Sequence, residues 1–302
     1  MLGMLGRTRL LSALLVTGSL FLAACQPTVN VSRATARLQP APPAPRDPRL
    51  VPVRPSAIEG RRVFQRAQCV ICHGPEGLGN GPAAANLKSP GKNLMTDFFR
   101  LIGIRLRGDQ LPSRPANFHN PVAMRLNSPF SMYETVTRGR PHTAMPAFPR
   151  KGGKPAYGAA SFGVNLTDEE RWHVIFHEWT YQSTPAEIRR GKRLYETKLI
   201  GVEGTALTCA ACHGTAGNGR GPRGAQLSRE LWHWARGQGP GIFTDINLMA
   251  QRKPTELYQA IVDGRGRMPA YRGKMADDEI WAVVNYLYTF VYDYPWGEGA
   301  GR

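Results

Sequence analysis

Two short segments of the 302-residue chain bring chemically useful side chains together at a fixed spacing: Cys69-Val70-Ile71-Cys72-His73 and Cys209-Ala210-Ala211-Cys212-His213. Each sets two thiols on one turn of chain with an imidazole beside the second. Such a cluster can cycle as a redox disulfide, can help to hold zinc, or can add its thiols to the two vinyl groups of a porphyrin while the histidine sits beneath the iron. A redox disulfide wants a βαβ setting, which the sequence lacks, and a closed zinc site wants four ligands. Two copies, each with its histidine, point to two covalent haem c groups on Cys69, Cys72, Cys209 and Cys212, with His73 and His213 on the iron.

A second axial ligand is needed at each iron. Met145 and Met268 stand in equivalent places, each before a proline and after a basic, glycine-containing turn, Arg138-Gly139-Arg140 and Gly264-Arg265-Gly266-Arg267. His142 competes with Met145, and Met275 is a weaker rival to Met268. Met95, Met124, Met132 and Met249 are expected to fill gaps in the core. His119, His173, His177 and His233 lack counterparts in the other copy and are expected at the surface or in packing.

Those pairings belong to a longer internal repeat. Glu59-Gly60-Arg61-Arg62-Val63-Phe64 answers Arg190-Gly191-Lys192-Arg193-Leu194-Tyr195, and Met132 to Gly139 answers Leu257 to Gly264. Met145-Pro146-Ala147-Phe148 answers Met268-Pro269-Ala270-Tyr271, and Asp168 to Trp172 answers Asp277 to Trp281. Five blocks in one order mean two copies of one domain. The closing helices read clearly: Trp172, Ile175, Phe176 and Trp179 recur at helical spacing behind a Thr167/Glu170 capping box, and Ile280, Val283, Val284, Leu287 and Tyr288 draw the same stripe. Strand-like alternation is absent, so small all-α domains with long loops are expected.

In this order of elements the chain resembles a diheme class I c-type cytochrome, two monohaem domains in tandem. The resemblance implies a fold wrapped around each haem, with Pro82 and Pro222 lining the proximal histidine side. Lys198 to Thr208 lengthens the link before Cys209, and Leu87 to Arg114 is an insertion in the first copy. There Phe98, Phe99, Leu101, Ile102, Ile104 and Leu106 alternate with Arg100, Arg105 and Arg107; a loop packed on its own domain is the plainer expectation, and an amphipathic segment for an acidic partner or a membrane surface is the alternative.

The N-terminus reads as an export signal. Arg7 and Arg9 precede an apolar run from Leu10 to Leu22, too short to span a bilayer, and Leu22-Ala23-Ala24-Cys25 resembles the lipobox of bacterial lipoproteins, which implies acylation of Cys25. Pro40 to Pro55 holds seven prolines in sixteen positions, an extended tether rather than a core. The expected organisation is signal 1–24, tether 25–55, cytochrome domains 56–183 and 184–294, and tail 295–302.

Lys and Arg number 39 against 22 Asp and Glu, a formal charge of +17. Residues 56–150 carry 13 basic and 5 acidic side chains, a net +8, while residues 184–302 carry 16 and 12, a net +4. Acidic redox proteins are the expected partners. Export and the lack of a recognition motif exclude nucleic acid. Met/His ligation closes the iron to substrate and raises its potential, so the expectation is an electron carrier, not an enzyme, lipid-anchored outside the cytoplasm. A cytochrome subunit docked permanently to a respiratory or photosynthetic complex is the alternative, and a diheme peroxidase-like enzyme is disfavoured by methionine at both matched positions.

Overall fold

The computed structural model describes residues 54–87, 101, 114–141, 143–154, 162–202, 205–229 and 239–296. The signal, Cys25, the tether as far as residue 53, Met95, His142, His233 and most of the 87–114 insertion, Arg105 and Arg107 included, lie outside the described residues. No described helix is long and apolar enough to cross a membrane.

The first copy contributes α1 (Ala57–Arg66), α2 (Val70–His73), α3 (Pro121–Arg125), α4 (Pro129–Arg138) and α5 (Asp168–Thr180). The second contributes α6 (Pro185–Thr197), α7 (Cys209–His213), α8 (Pro222–Arg229), α9 (Ile246–Gln251), α10 (Pro254–Asp263) and α11 (Asp277–Tyr288). Their starts follow from local chemistry. Thr167 and Thr184 each accept a hydrogen bond from the backbone of a glutamate three residues on, whose carboxylate accepts one from the capping residue in return. Asn120 and Asp245 cap α3 and α9 through their side-chain oxygens.

One expectation is corrected. Ile200–Val202 (β1) and Thr205–Leu207 (β2) form an antiparallel hairpin, with Ile200 opposite Leu207 and Val202 opposite Thr205. Strands of three residues are too short for a period of two to register in the sequence. What read as a lengthened link before Cys209 is this hairpin.

Within each copy the first and last helices cross, α1 on α5 and α6 on α11. Glycine makes the crossing possible: a Cβ on Gly60 would overlap the His173 carbonyl, and one on Gly191 would overlap that of Ala282. The interlock of α4 with α5 is also repeated by α10 with α11. Tyr133 stacks on Trp172 at 4.5 Å and donates its hydroxyl to Asp168, while Tyr258 stacks on Trp281 at 4.4 Å and donates to Asp277.

The copies pack on each other through equivalent elements. Helix α3 meets α10 and α4 meets α9. Because α3 corresponds to α9 and α4 to α10, exchanging the copies turns one contact into the other, the pattern of isologous association. Arg125 on α3 lies over the Trp281 ring, 3.7 Å from its centroid. Ahead of α1, the Arg54 side chain donates to Asp293 and to the carbonyls of Thr289, Phe290 and Tyr292.

Candidate functional site

Each Cys-X-X-Cys-His segment is a single helical turn ended by glycine. Gly74 and Gly214 have φ of 77° and 78°, a conformation side chains resist, and their N–H groups cap the carbonyls of Val70 and Ala210. This turn places Cys69 and Cys72, or Cys209 and Cys212, on one side with His73 or His213 at its end. The four thiols form no disulfide. Burial pushes all four above the usual thiol range, most strongly Cys69, whose neighbourhood also includes Glu178.

Both histidines are oriented in the same way. His73 Nδ1 lies 3.2 Å from the Ala116 carbonyl and His213 Nδ1 lies 3.1 Å from that of Gly241. A carbonyl can only accept, so Nδ1 carries the proton and Nε2 keeps its lone pair for a metal. Burial holds both rings below the ordinary histidine range, in the neutral form a ligand needs. Phe118 stacks on His73 and Phe243 on His213, each at 4.8 Å. Both phenylalanines are anchored by their backbone N–H to Gly77 or Gly217, at 2.8 and 2.7 Å.

Opposite stand the two methionine loops. Arg140 N–H donates to the Met145 carbonyl at 3.2 Å, and Arg265 N–H donates to that of Met268 at 3.1 Å. The loops rejoin α4 and α10 identically, with Phe148 N–H on Val136 and Tyr271 N–H on Ile261. In the first copy a partly open cleft lies between these segments. Cys69, Cys72 and His73 lie on its wall together with Met145, Pro146 and Phe148. Its polar lining includes Arg114, Arg140, Asn127, Thr143 and Glu178. In the second copy the Tyr271 hydroxyl lies 3.9 Å from Cys209 Sγ, which brings the methionine loop against the cysteine segment.

These residues fit a haem: apolar walls, two thiols at the vinyl edge, a neutral imidazole with Nε2 free, a thioether across the cleft, and arginines that suit propionate carboxylates. No cluster of three or more His, Cys, Asp or Glu able to hold a bare metal ion occurs among the described residues.

Residues 57–177 match the family model described as cytochrome c. Residues 186–287 match the one described as cytochrome c oxidase, cbb3-type, subunit III. A stretch of 101 residues is 33% identical to cytochrome c-551 of Halorhodospira halochloris, covering 33% of this chain and 98% of that protein. The chain belongs to the cytochrome c family. It is a class I c-type cytochrome with two cytochrome c domains in tandem, all-α in character, and such domains bind haem c covalently and transfer electrons. A solved structure, the Kuenenia stuttgartiensis reducing HAO-like protein complex Kustc0457/Kustc0458, is 21% identical and covers 79% of this chain and 98% of its own; its TM-score of 0.28 supports no structural argument.

Several features of the cytochrome differ from expectation. Pro82 and Pro222 are exposed; the prolines beside the proximal histidines are Pro115 and Pro240. They open a sixth matched block, Pro115-Ala116-Asn117-Phe118 and Pro240-Gly241-Ile242-Phe243, masked in the sequence by unequal distances from the histidines. Met124 and Met132 do more than fill the core, because both line the first cleft. Met124, on α3, also has a counterpart in Met249 on α9, and both are buried. Met275 lies in the core, its N–H on the Tyr271 carbonyl. Of the histidines, His177 is buried, His173 Nδ1 accepts from the Ser56 N–H, and exposed His119 binds the Glu76 carbonyl. These are packing and surface roles.

Proposed function

We propose that this cytochrome is a two-haem electron carrier, with one haem c on Cys69 and Cys72 between His73 and Met145, and the other on Cys209 and Cys212 between His213 and Met268. The observation that carries the reading is the duplicated geometry of both axial positions: each imidazole is held through Nδ1 by a carbonyl, and each methionine loop is closed by an arginine just after α4 or α10. Bound haem supplies the one-electron couple. The chain supplies the rest: neutral imidazoles, thioethers that favour the reduced iron, walls that exclude water, and a fixed distance between clefts. Helices α3 and α4, which line the first cleft, pack on α10 and α9, so the copies adjoin through the helices nearest the electron.

Partners are acidic redox proteins, drawn to the excess of positive charge and above all to the first domain. Cys25 carries a lipid that holds the protein at a membrane, facing the periplasm or extracytoplasmic space. Intact mass and alkaline pyridine spectra should give two covalent haems per chain, and a redox titration two one-electron waves. One haem would refute the reading. Cys25→Ser should move the holoprotein from membranes to the soluble fraction, and retention would refute the anchor.

A second reading is favoured by the family to which residues 186–287 are matched, whose description names an oxidase subunit. On that reading the cytochrome is a permanent part of a membrane complex. Solubilisation in mild detergent separates the two, since a resident subunit co-purifies with its complex in fixed proportion and a diffusing carrier does not.

A further inference from the structure

One ionisable side chain in the first cleft has no counterpart in the second. Glu178 lies six residues after Trp172, and the residue six after Trp281 is Leu287. Both are buried, at 4% and 3% exposure, and both stand on the face of the closing helix turned to the interior. Leu287 is what an apolar wall calls for. Glu178 instead brings a carboxyl to the wall of the cleft that holds Cys69, Cys72 and His73.

We propose that Glu178 makes electron uptake at the first haem proton-coupled. This rests on the two-haem reading. When one electron arrives from the redox partner and iron(III) becomes iron(II), the cleft loses one positive charge. The carboxylate of Glu178 is then less well compensated and takes one proton from water, forming the carboxylic acid. On oxidation the electron leaves to the acceptor and the proton returns to water. In the second copy Leu287 has nothing to protonate, so electron transfer there carries no proton at this position.

The surroundings of Glu178 support a titration in the accessible range. Burial raises its carboxyl from 4.5 to about 8. On the cysteine segment its neighbour is Cys69, which haem attachment converts to an uncharged thioether. Arg114, Arg140 and His73 line the same cleft, the last held neutral by burial. On its own helix and just beyond, His177 is pushed down to about 4 and Tyr181 up to about 12, so neither changes charge near neutrality. From α1, Arg61 acts electrostatically on both of those groups. Glu178 is therefore the group of this set that exchanges a proton between pH 6 and 9, apart from the propionates both haems share.

The test is a spectroelectrochemical titration of the holoprotein from pH 6 to 9, on the parent, Glu178→Leu and Glu178→Gln, with haem content measured by mass in each. One of the two waves should fall with rising pH, approaching a tenfold change in reduction equilibrium constant per pH unit, or 59 mV for one electron. Both substitutions should flatten that wave and leave the other unchanged. Glu178→Gln keeps the shape of the side chain, so a flattened wave in this variant reports the lost proton rather than altered packing. Redox-difference infrared spectra of the parent should show a protonated carboxyl band on reduction, missing from Glu178→Gln. If two haems are present and the slope survives in both variants, Glu178 is not the coupled group while the two-haem reading stands; a single haem in the parent would overturn that reading and the proposal with it.

Discussion

The indole of Trp179 and the ring of Tyr288 meet at 4.8 Å between centroids, and the two residues occupy the same position in the two copies, seven residues after Trp172 and Trp281. A contact between equivalent positions is what an isologous interface places at its centre. Both side chains are buried, and the indole N–H has no hydrogen-bond partner. The pair therefore acts through apolar area and shape. Truncating Trp179 to Ala should cost about 3–5 kcal/mol, read in urea denaturation of the holoprotein. Trp179→Phe should cost far less, because no hydrogen bond is given up. The double variant Trp179→Ala/Tyr288→Ala should be less destabilised than the sum of the single changes.

Replacing Cys209 and Cys212 by Ala should leave one covalent haem, on the first domain. Intact mass and alkaline pyridine spectra report the count directly. An unchanged count would remove the second attachment site from the assignment.

The first cleft offers three thioethers, Met124, Met132 and Met145. Met145→Ala should abolish the methionine-to-iron charge-transfer band of the first ferric haem and lower its potential. Met124→Leu should keep the band, because Met124 sits on a helix as its partner Met249 does, while Met145 and Met268 share the loop closed by an arginine N–H. Loss of the band in Met124→Leu would transfer the ligand role to α3.

Acid should destabilise the fold through His177. This ring packs on Phe64 and its Nε2 lies 3.0 Å from the Tyr181 hydroxyl. Burial, aided by Arg61, pushes it from 6.5 to about 4. The unfolded chain thus binds a proton below pH 6.5 that the folded chain refuses until about pH 4, and stability falls across that window by about 3 kcal/mol. Glu178 works in the opposite sense: its folded value is raised, so its stabilising effect is complete below pH 4.5 and is lost as pH rises through 8. His177→Phe should remove the acid loss without touching the alkaline one, as denaturation midpoints at pH 4, 7 and 9 would record.

Gly60→Ala and Gly191→Ala should each weaken the crossing of the first and last helices by about 3 kcal/mol or more, since the added methyl meets a backbone carbonyl and not a movable side chain. Comparable losses in the two variants, measured by thermal or urea unfolding, would confirm that the copies share one crossing. An unperturbed Gly60→Ala protein would show that the helices can separate without cost.

The sequence made some parts of this molecule easy to read and hid others for physical reasons. The closing helices were legible because Trp172, Ile175, Phe176 and Trp179 hold a helical period behind a side-chain cap, and the cysteine segments because their chemistry fixes their spacing. Phe118 and Phe243 were hidden by loops of unequal length between the histidine and the proline that starts their block. The hairpin at Ile200–Leu207 was too short to display a pattern. Glu178 carries no signal in the sequence; its burial beside the cleft, set against Leu287, distinguishes it. Met124 looked like core filling because its match with Met249 emerges only when α3 is superposed in mind on α9, each beginning at an Asn or Asp cap.

Arg54 and Pro55, just ahead of the first helix, are fastened to the end of the last one. The Asp293 N–H donates to the Pro55 carbonyl at 2.8 Å while the Arg54 guanidinium gathers Asp293 and three carbonyls around it. The described part of the chain is therefore a nearly closed loop, and the packing itself does not dictate which domain is made first. A peptide bridge across that seam, with the chain opened at Gln182–Ser183 between α5 and α6, would yield a circular permutant with every helix in its present place.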